Sequence, residues 1–117
     1  MKLSYNLLPQ SFQNMRPVAL ASERAGLHSI AIADSPLISR ELFLSCAECL
    51  HETKSLNVMT AVTNPLTRHP SVAASAIATL CEMAPGRLLV GIATGDSAAW
   101  GAGLRPAKVS VLRDYIV

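Results

Sequence analysis

Residues 56–70 read LNVMTAVTNPLTRHP. Positions 56–62 are mostly apolar or β-branched, which suits a strand in a packed sheet. Thr63-Asn64-Pro65 ends that strand, since Asn favours turns and proline cannot donate to a ladder. Leu66-Thr67-Arg68-His69 carries the chain outward. Pro70 then opens a helix, where its missing N–H costs nothing. The helix continues over residues 71–83, rich in Ala and Ser and so able to pack closely. Pro85 and Gly86 stop it. A strand, a loop and a helix in this order form the unit of a parallel α/β fold.

The same unit appears on both sides. Residues 29–33, SIAIA, are apolar at nearly every position, as expected of a strand buried on both faces. Asp34-Ser35-Pro36 breaks that strand. Residues 40–54 follow with a helical stripe of Leu42, Phe43, Cys46, Cys49 and Leu50. Further upstream, residues 3–8 read as a first strand ending at Pro9. A polar loop runs through Asn14, and Pro17 sits early in a helix that Gly26 can end. Downstream, residues 88–93 form a fourth strand, and Thr94-Gly95-Asp96 turns the chain out. A loop through Trp100 leads to a last helix beginning near Ala107. The order β-α-β-α-β-α-β-α implies parallel strands joined by right-handed crossovers. An open doubly wound sheet and a barrel both satisfy it. In either, ligands bind at the carboxyl ends of the strands. The loops of interest are therefore residues 9–14, 34–39, 63–69 and 94–105.

Composition narrows the function. The chain has 117 residues, half of them apolar and 15% charged, which favours one packed domain over disorder. A net charge of +2 gives no reason to expect nucleic acid or an anionic membrane as partner. Aromatics at 4% are too few for base-stacking platforms. No apolar run reaches the length of a membrane span. The opening MKLSYNLLPQSF reads as a strand and not as a signal peptide, and the expected location is cytoplasmic. Cys46 and Cys49 match CxxC, but no second pair or His cluster completes a metal site, and no metal is expected. Two small buried hydrophobes on one helix face is the better reading.

No G-x-G-x-x-G follows the first strand, and no P-loop is present. Asp34 and Asp96 stand just past strands two and four, where a carboxylate serves either as ligand acceptor or as a cap. In Arg68-His69-Pro70 the histidine offers a general base or, more simply, a helix cap, with Arg68 pairing to a nearby carboxylate. His28 and His51 read as surface or interface residues. Trp100 reads equally as a lid or a loop anchor.

Taken together, Thr63-Asn-Pro-Leu-Thr-Arg-His-Pro70, Ala78-Thr-Leu80, Pro85-Gly-Arg87 and Gly91-Ile-Ala-Thr-Gly-Asp96 resemble one family. It is the bacterial-luciferase-like superfamily of flavin- and deazaflavin-dependent oxidoreductases, in its methylenetetrahydromethanopterin reductase-like branch. The resemblance runs from about Ala19 to Tyr115. It implies the N-terminal half, (β/α)4, of a (β/α)8 TIM-type barrel, with residues 1–117 a partial barrel domain truncated within the fourth helix. It implies FMN or the deazaflavin coenzyme F420, without distinguishing them, exchanging hydride with a small organic substrate. It assigns Asp34, Ala61, Val62, Thr94 and Gly95 to cofactor binding and Asp96 to catalysis, with a bulge and a non-prolyl cis peptide at Ala61–Val62. It also implies a homodimer or larger homo-oligomer. Departures from the family pattern are Leu27 and His28 before strand two, Ser35 where some deazaflavin enzymes carry His, and Ala93 in place of a usual glycine. Two other readings stand beside it. One is a catalytically silent half-barrel stable by self-association. The other is a doubly wound ligand-binding domain without redox chemistry.

Overall fold

A computed structural model describes all residues 1–117. Four strands alternate with helices: β1 Ser4–Leu7, α1 Met15–Arg24, β2 Ser29–Ile32, α2 Leu42–Glu52, β3 Asn57–Thr63, α3 Pro70–Met83 and β4 Leu88–Ile92. Two helices follow, a short α4 Ser97–Gly101 and α5 Val109–Ile116. A single 3-10 turn at Phe12–Asn14 leads into α1. The sequence reading has no counterpart for α4, and it places the start of the last helix two residues early. Ala98 and Ala99 explain α4: both are buried, so tertiary contact rather than local propensity makes that turn.

All strand pairs are parallel and the sheet order is β1-β2-β3-β4. This order separates the two architectures that alternation alone leaves open. A doubly wound sheet reverses its strand order at a switch point, whereas a barrel adds each strand beside the last. The chain winds in one direction only. Right-handed crossovers then put the helices on one face, and α1 packs against α2, which packs against α3.

The core lies between that helical layer and the sheet. Ile30, Ile32 and Val58 meet Met15 and Ala19 of α1, Leu42, Phe43, Cys46, Cys49 and Leu50 of α2, and Ala73 and Leu80 of α3. Each large aliphatic side chain here contributes about 1.5–3 kcal/mol by leaving water. Cys46 and Cys49 are free, buried members of this core. Burial pushes the Cys46 thiol far above its usual range, and it pushes Cys49 up to about 12. Both therefore stay protonated, as small hydrophobes do. No helix is long and apolar enough to cross a membrane.

Ion pairs and caps fasten the loops. At the amino ends of the strands, Arg87 donates to Leu50 O at 2.6 Å and Thr53 O at 2.9 Å, beyond the last turn of α2. Carbonyls left open at a helix C-terminus favour such a cation. On the same side, Glu23 Oε1 accepts from the Lys54, Ser55 and Leu56 N–H groups at 2.8, 2.6 and 3.1 Å, tying α1 to the entry of β3.

Candidate functional site

The strand register is even from β1 to β3 and slips between β3 and β4. Thr60 pairs with Val90, yet Thr63 pairs with Ile92, so β3 carries one extra residue. That bulge contains Ala61–Val62, whose peptide bond is cis. The sequence resemblance expects both features at this place. Gly91 makes the bulge possible. A Cβ there would lie 2.4 Å from the Thr60 carbonyl oxygen. With no side chain in the way, Gly91 N donates to Thr60 Oγ1 at 2.9 Å and Thr60 Oγ1 donates to Gly91 O at 2.7 Å. A bulge of this kind re-aims a strand end, and such features gather beside functional sites.

Beyond the bulge, the carboxyl ends of β2, β3 and β4 enclose a cavity of about 210 Å³. Asp34, Ala61, Val62, Thr94, Gly95 and Asp96 all line it, so the six residues nominated from sequence converge on one space. Ser35, Ala93 and Asn64 complete much of the wall.

The loop after β4 is held in place from both ends. Ala93 N donates to Thr63 O at 2.9 Å, and Ala107 N donates to Thr94 O at 2.8 Å. Gly95 has φ +82°, and a Cβ on it would come within 3.0 Å of Asn64 Cβ, so glycine is required twice over at this position. Asp96 is exposed and forms no side-chain cap on α4. Its carboxylate stands at the mouth of the cavity, uncommitted to the protein.

Asp34 is the opposite case. Its side chain is only 1% exposed. Oδ2 accepts from Arg68 Nη1 at 2.6 Å and from Thr63 Oγ1 at 2.8 Å, while Oδ1 accepts from Arg68 Nη2 at 3.2 Å. Arg68 also reaches Glu41 Oε1 at 2.7 Å and stacks over the Phe43 ring at 5.0 Å. Burial opposes the guanidinium charge, but the hydrogen bonds and charges of Asp34 and Glu41 outweigh it and hold Arg68 above its usual pKa. Tyr115 of α5 donates to Arg68 O at 3.2 Å, which docks that helix on the same loop.

The expected Arg68–carboxylate pair is thus present, and its partner is the acid nominated for ligand contact. His69 caps α3, its Nδ1 accepting from Ser71 N at 3.3 Å, and takes no place in the cavity wall. Ser35 Oγ shares a 2.7 Å hydrogen bond with Ser97 Oγ, linking the loops after β2 and β4. His28 is half-buried at the amino ends of the strands, and His51 is exposed. Trp100 is 59% exposed and does not line the cavity.

Sequence reasoning treats Asn64 only as a strand breaker. In the structure it is a buried member of the cavity wall, 1% exposed. Its Oδ1 accepts from Leu66 N at 3.0 Å and Thr67 N at 3.1 Å, an Asx turn that shapes the loop after β3. The Asn-Pro pair signals that turn. Nothing in the linear sequence signals that Gly95 packs against it.

Comparison with known proteins agrees with this architecture. The model of the family described as luciferase-like monooxygenase matches residues 2–111. The chain is 31% identical over 84 residues to a 5,10-methylenetetrahydromethanopterin reductase of Methanolobus tindarius, covering 72% of this chain and 26% of that protein. Among solved structures, the coenzyme F420 dependent tetrahydromethanopterin reductase of Methanopyrus kandleri superposes with a TM-score of 0.88 at 24% identity, over 98% of this chain and 38% of that one. The oxygenating constituent of 3,6-diketocamphane monooxygenase of Pseudomonas putida, solved in complex with FMN, superposes with a TM-score of 0.80 at 21% identity, over 99% of this chain and 37% of that one. The chain therefore spans between a quarter and two fifths of the length of these proteins.

Proposed function

This chain belongs to the luciferase-like monooxygenase family, and we propose that it supplies the ring-binding part of a flavin- or deazaflavin-dependent oxidoreductase barrel. In this reading residues 1–117 are a partial barrel domain. One observation carries it: the cavity at the ends of β2, β3 and β4 is walled by all six residues that the family resemblance nominates. FMN or coenzyme F420 is the cofactor class, and a small organic molecule is the substrate. When bound, the cofactor ring supplies hydride acceptance or donation.

The residues of this chain fit a flat ring. Ala61, Val62 and Gly95 offer backbone and small apolar surface, with no long side chain to obstruct it. Gly95 leaves space where any Cβ would crowd Asn64. Asp34 Oδ1 accepts one hydrogen bond from the protein, so it keeps a lone pair for a ring N–H. Thr94 fixes the β4 loop through its carbonyl, leaving its side chain to the wall. Asp96, exposed at the mouth and without a protein partner, is placed to hold or pass the proton that accompanies hydride exchange. The protein's share of such chemistry is orientation and the exclusion of water.

The test is titration of FMN and of coenzyme F420 separately into the full-length protein, followed by quenching of cofactor fluorescence. Saturable one-to-one binding of either supports the reading. Failure of both to bind at micromolar protein overturns it and favours the catalytically silent, self-associating reading.

A further inference from the structure

Asn64 Nδ2 is the one fully buried side-chain polar atom of the chain without a hydrogen-bond partner. The orientation of this amide is fixed by its other end. Leu66 N and Thr67 N both donate, so the atom facing them must be the oxygen. Rotating the amide would set a donor against two donors. The NH₂ group is therefore locked on the far side, in a residue that lines the cavity and is 1% exposed. Gly95 packs on the other atoms of the side chain, with Asn64 Cβ, Cγ and Oδ1 3.0–3.5 Å from where a Cβ would stand.

A buried N–H without an acceptor gives up its hydrogen bond to water and gains none in return, so native proteins rarely leave one unused. No neighbouring residue supplies the acceptor. Asp34, which lines the same cavity, takes its hydrogen bonds from Arg68 and Thr63 and none from Asn64. Asn64 is one of the residues that wall the strand-end cavity.

We propose that Asn64 is a ligand-binding residue whose Nδ2–H donates to an acceptor on the molecule held in the strand-end cavity, a ring carbonyl or an unprotonated ring nitrogen. This rests on the reading above that the cavity takes a flavin or deazaflavin ring. The two rings differ at the central position, where a flavin has a nitrogen acceptor and a deazaflavin has a C–H. Both carry ring carbonyls. An amide that meets the central nitrogen favours the flavin, whereas one that meets a carbonyl serves both. A site built to donate a hydrogen bond discriminates strongly against a ligand that lacks the acceptor.

The experiment compares the full-length protein with Asn64→Asp, which keeps the shape and the Oδ1 acceptor but has no N–H to donate. The probes are riboflavin, which carries no charge to respond to the new carboxylate, and coenzyme F420. The proposal predicts at least a tenfold weaker Kd for riboflavin in the variant. A parallel loss for F420 identifies the acceptor as a carbonyl, and a loss confined to riboflavin identifies the central nitrogen. Unchanged affinity for both overturns the proposal while leaving the cavity reading intact. If the wild-type protein binds neither probe, both fall together. If Asn64→Asp does not fold, the Asn64 side-chain amide resonances of the wild-type protein decide the matter. A downfield proton shift on adding ligand supports the donated bond, and unmoved resonances at saturation refute it.

Discussion

Arg68 grips Asp34 with both prongs of its guanidinium, Nη1 to Oδ2 at 2.6 Å and Nη2 to Oδ1 at 3.2 Å, 34 positions apart in sequence. The pair joins the loop after β2 to the loop after β3 directly beneath the cavity. Its side chains are 12% and 1% exposed, so solvent screens it little. Removing one partner leaves the other charge buried without compensation. Arg68→Met should therefore destabilise the protein by about 3–5 kcal/mol, the range for breaking a buried pair. Asp34→Asn with Arg68→Met should cost less than the sum of the single changes. Urea unfolding of the four proteins measures the coupling, and strict additivity would show that the two side chains act independently.

Gly91→Ala tests the bulge. Its new methyl group would stand 2.4 Å from a backbone oxygen, which no rotamer change relieves. The β3–β4 pairing must shift, and the Thr60–Gly91 hydrogen bonds with it. We expect loss of at least 2 kcal/mol, roughly the scale of an overpacked core position. Gly95→Ala should cost about 1–2 kcal/mol from its positive φ alone. It should also weaken ring binding, since the added methyl enters the cavity wall. Thermal melts and the same fluorescence titration separate the two effects, and Gly95→Ala with unaltered binding would remove this loop from the site.

The strands, the helices and their order follow from local signals: an unbroken apolar run in β2, Pro70 at the start of α3, Gly86 after its end. What local signals leave open is the closure. Alternation fits an open sheet or a barrel equally, and only the strand order β1-β2-β3-β4, a non-local fact, decides between them. The site divides in the same way. Asp34, Thr94, Gly95 and Asp96 are legible because they directly follow strands. Asn64 also follows a strand, yet its unpaired amide emerges from three segments meeting: its own Asx turn, the packing of Gly95, and the commitment of Asp34 to Arg68. The α4 turn is invisible for a similar reason, since it depends on burial of Ala98 and Ala99.

Glu23 gives the fold a pH dependence. The Ser55 N–H, aided by those of Leu56 and Lys54 and by the Ser55 hydroxyl, outweighs desolvation and lowers its carboxyl from 4.5 to about 2. A carboxyl whose folded pKa is depressed stabilises the protein fully above its unfolded value and loses that contribution as pH falls. The loss should thus develop between about 4.5 and about 2. Glu23→Gln should lower the midpoint of thermal unfolding at pH 7 and flatten its fall over that acid window. A variant as acid-sensitive as the parent would assign the effect to other carboxylates.

The three cysteines should separate cleanly by reactivity. Cys81 is exposed, whereas Cys46 and Cys49 lie in the core with their thiols pushed upward by burial. The thiolate is the reactive form, so a disulfide reagent at pH 8 should modify one thiol in the folded protein and three after denaturation. Fast labelling of two or more native thiols would mean that α2 does not pack as described.

The last prediction concerns assembly of the 117-residue chain by itself. β1 and β4 are the edges of its sheet, and each carries a row of unpaired backbone groups. Parallel edges of this kind readily pair with other chains. Apolar side chains lie beside them: Tyr5 on β1 is 47% exposed, and Leu89 and Val90 on β4 are 40% and 43% exposed. Ile116 of α5 adds to the surface near β4, at 61%. A barrel would cover such residues with further strands and helices, and an isolated chain can cover them with a second copy. The chain alone should therefore sediment as a dimer or larger species at low micromolar concentration. A specific contact should bury about 1,200 Å² or more in total. Charged substitution on the two faces of β4, Leu89→Lys with Val90→Glu, should shift the population toward monomer, while substitution on the remote Cys81 should not. A single species at the 12.4 kDa monomer mass with cooperative unfolding would show that the open edges carry no driving force for association.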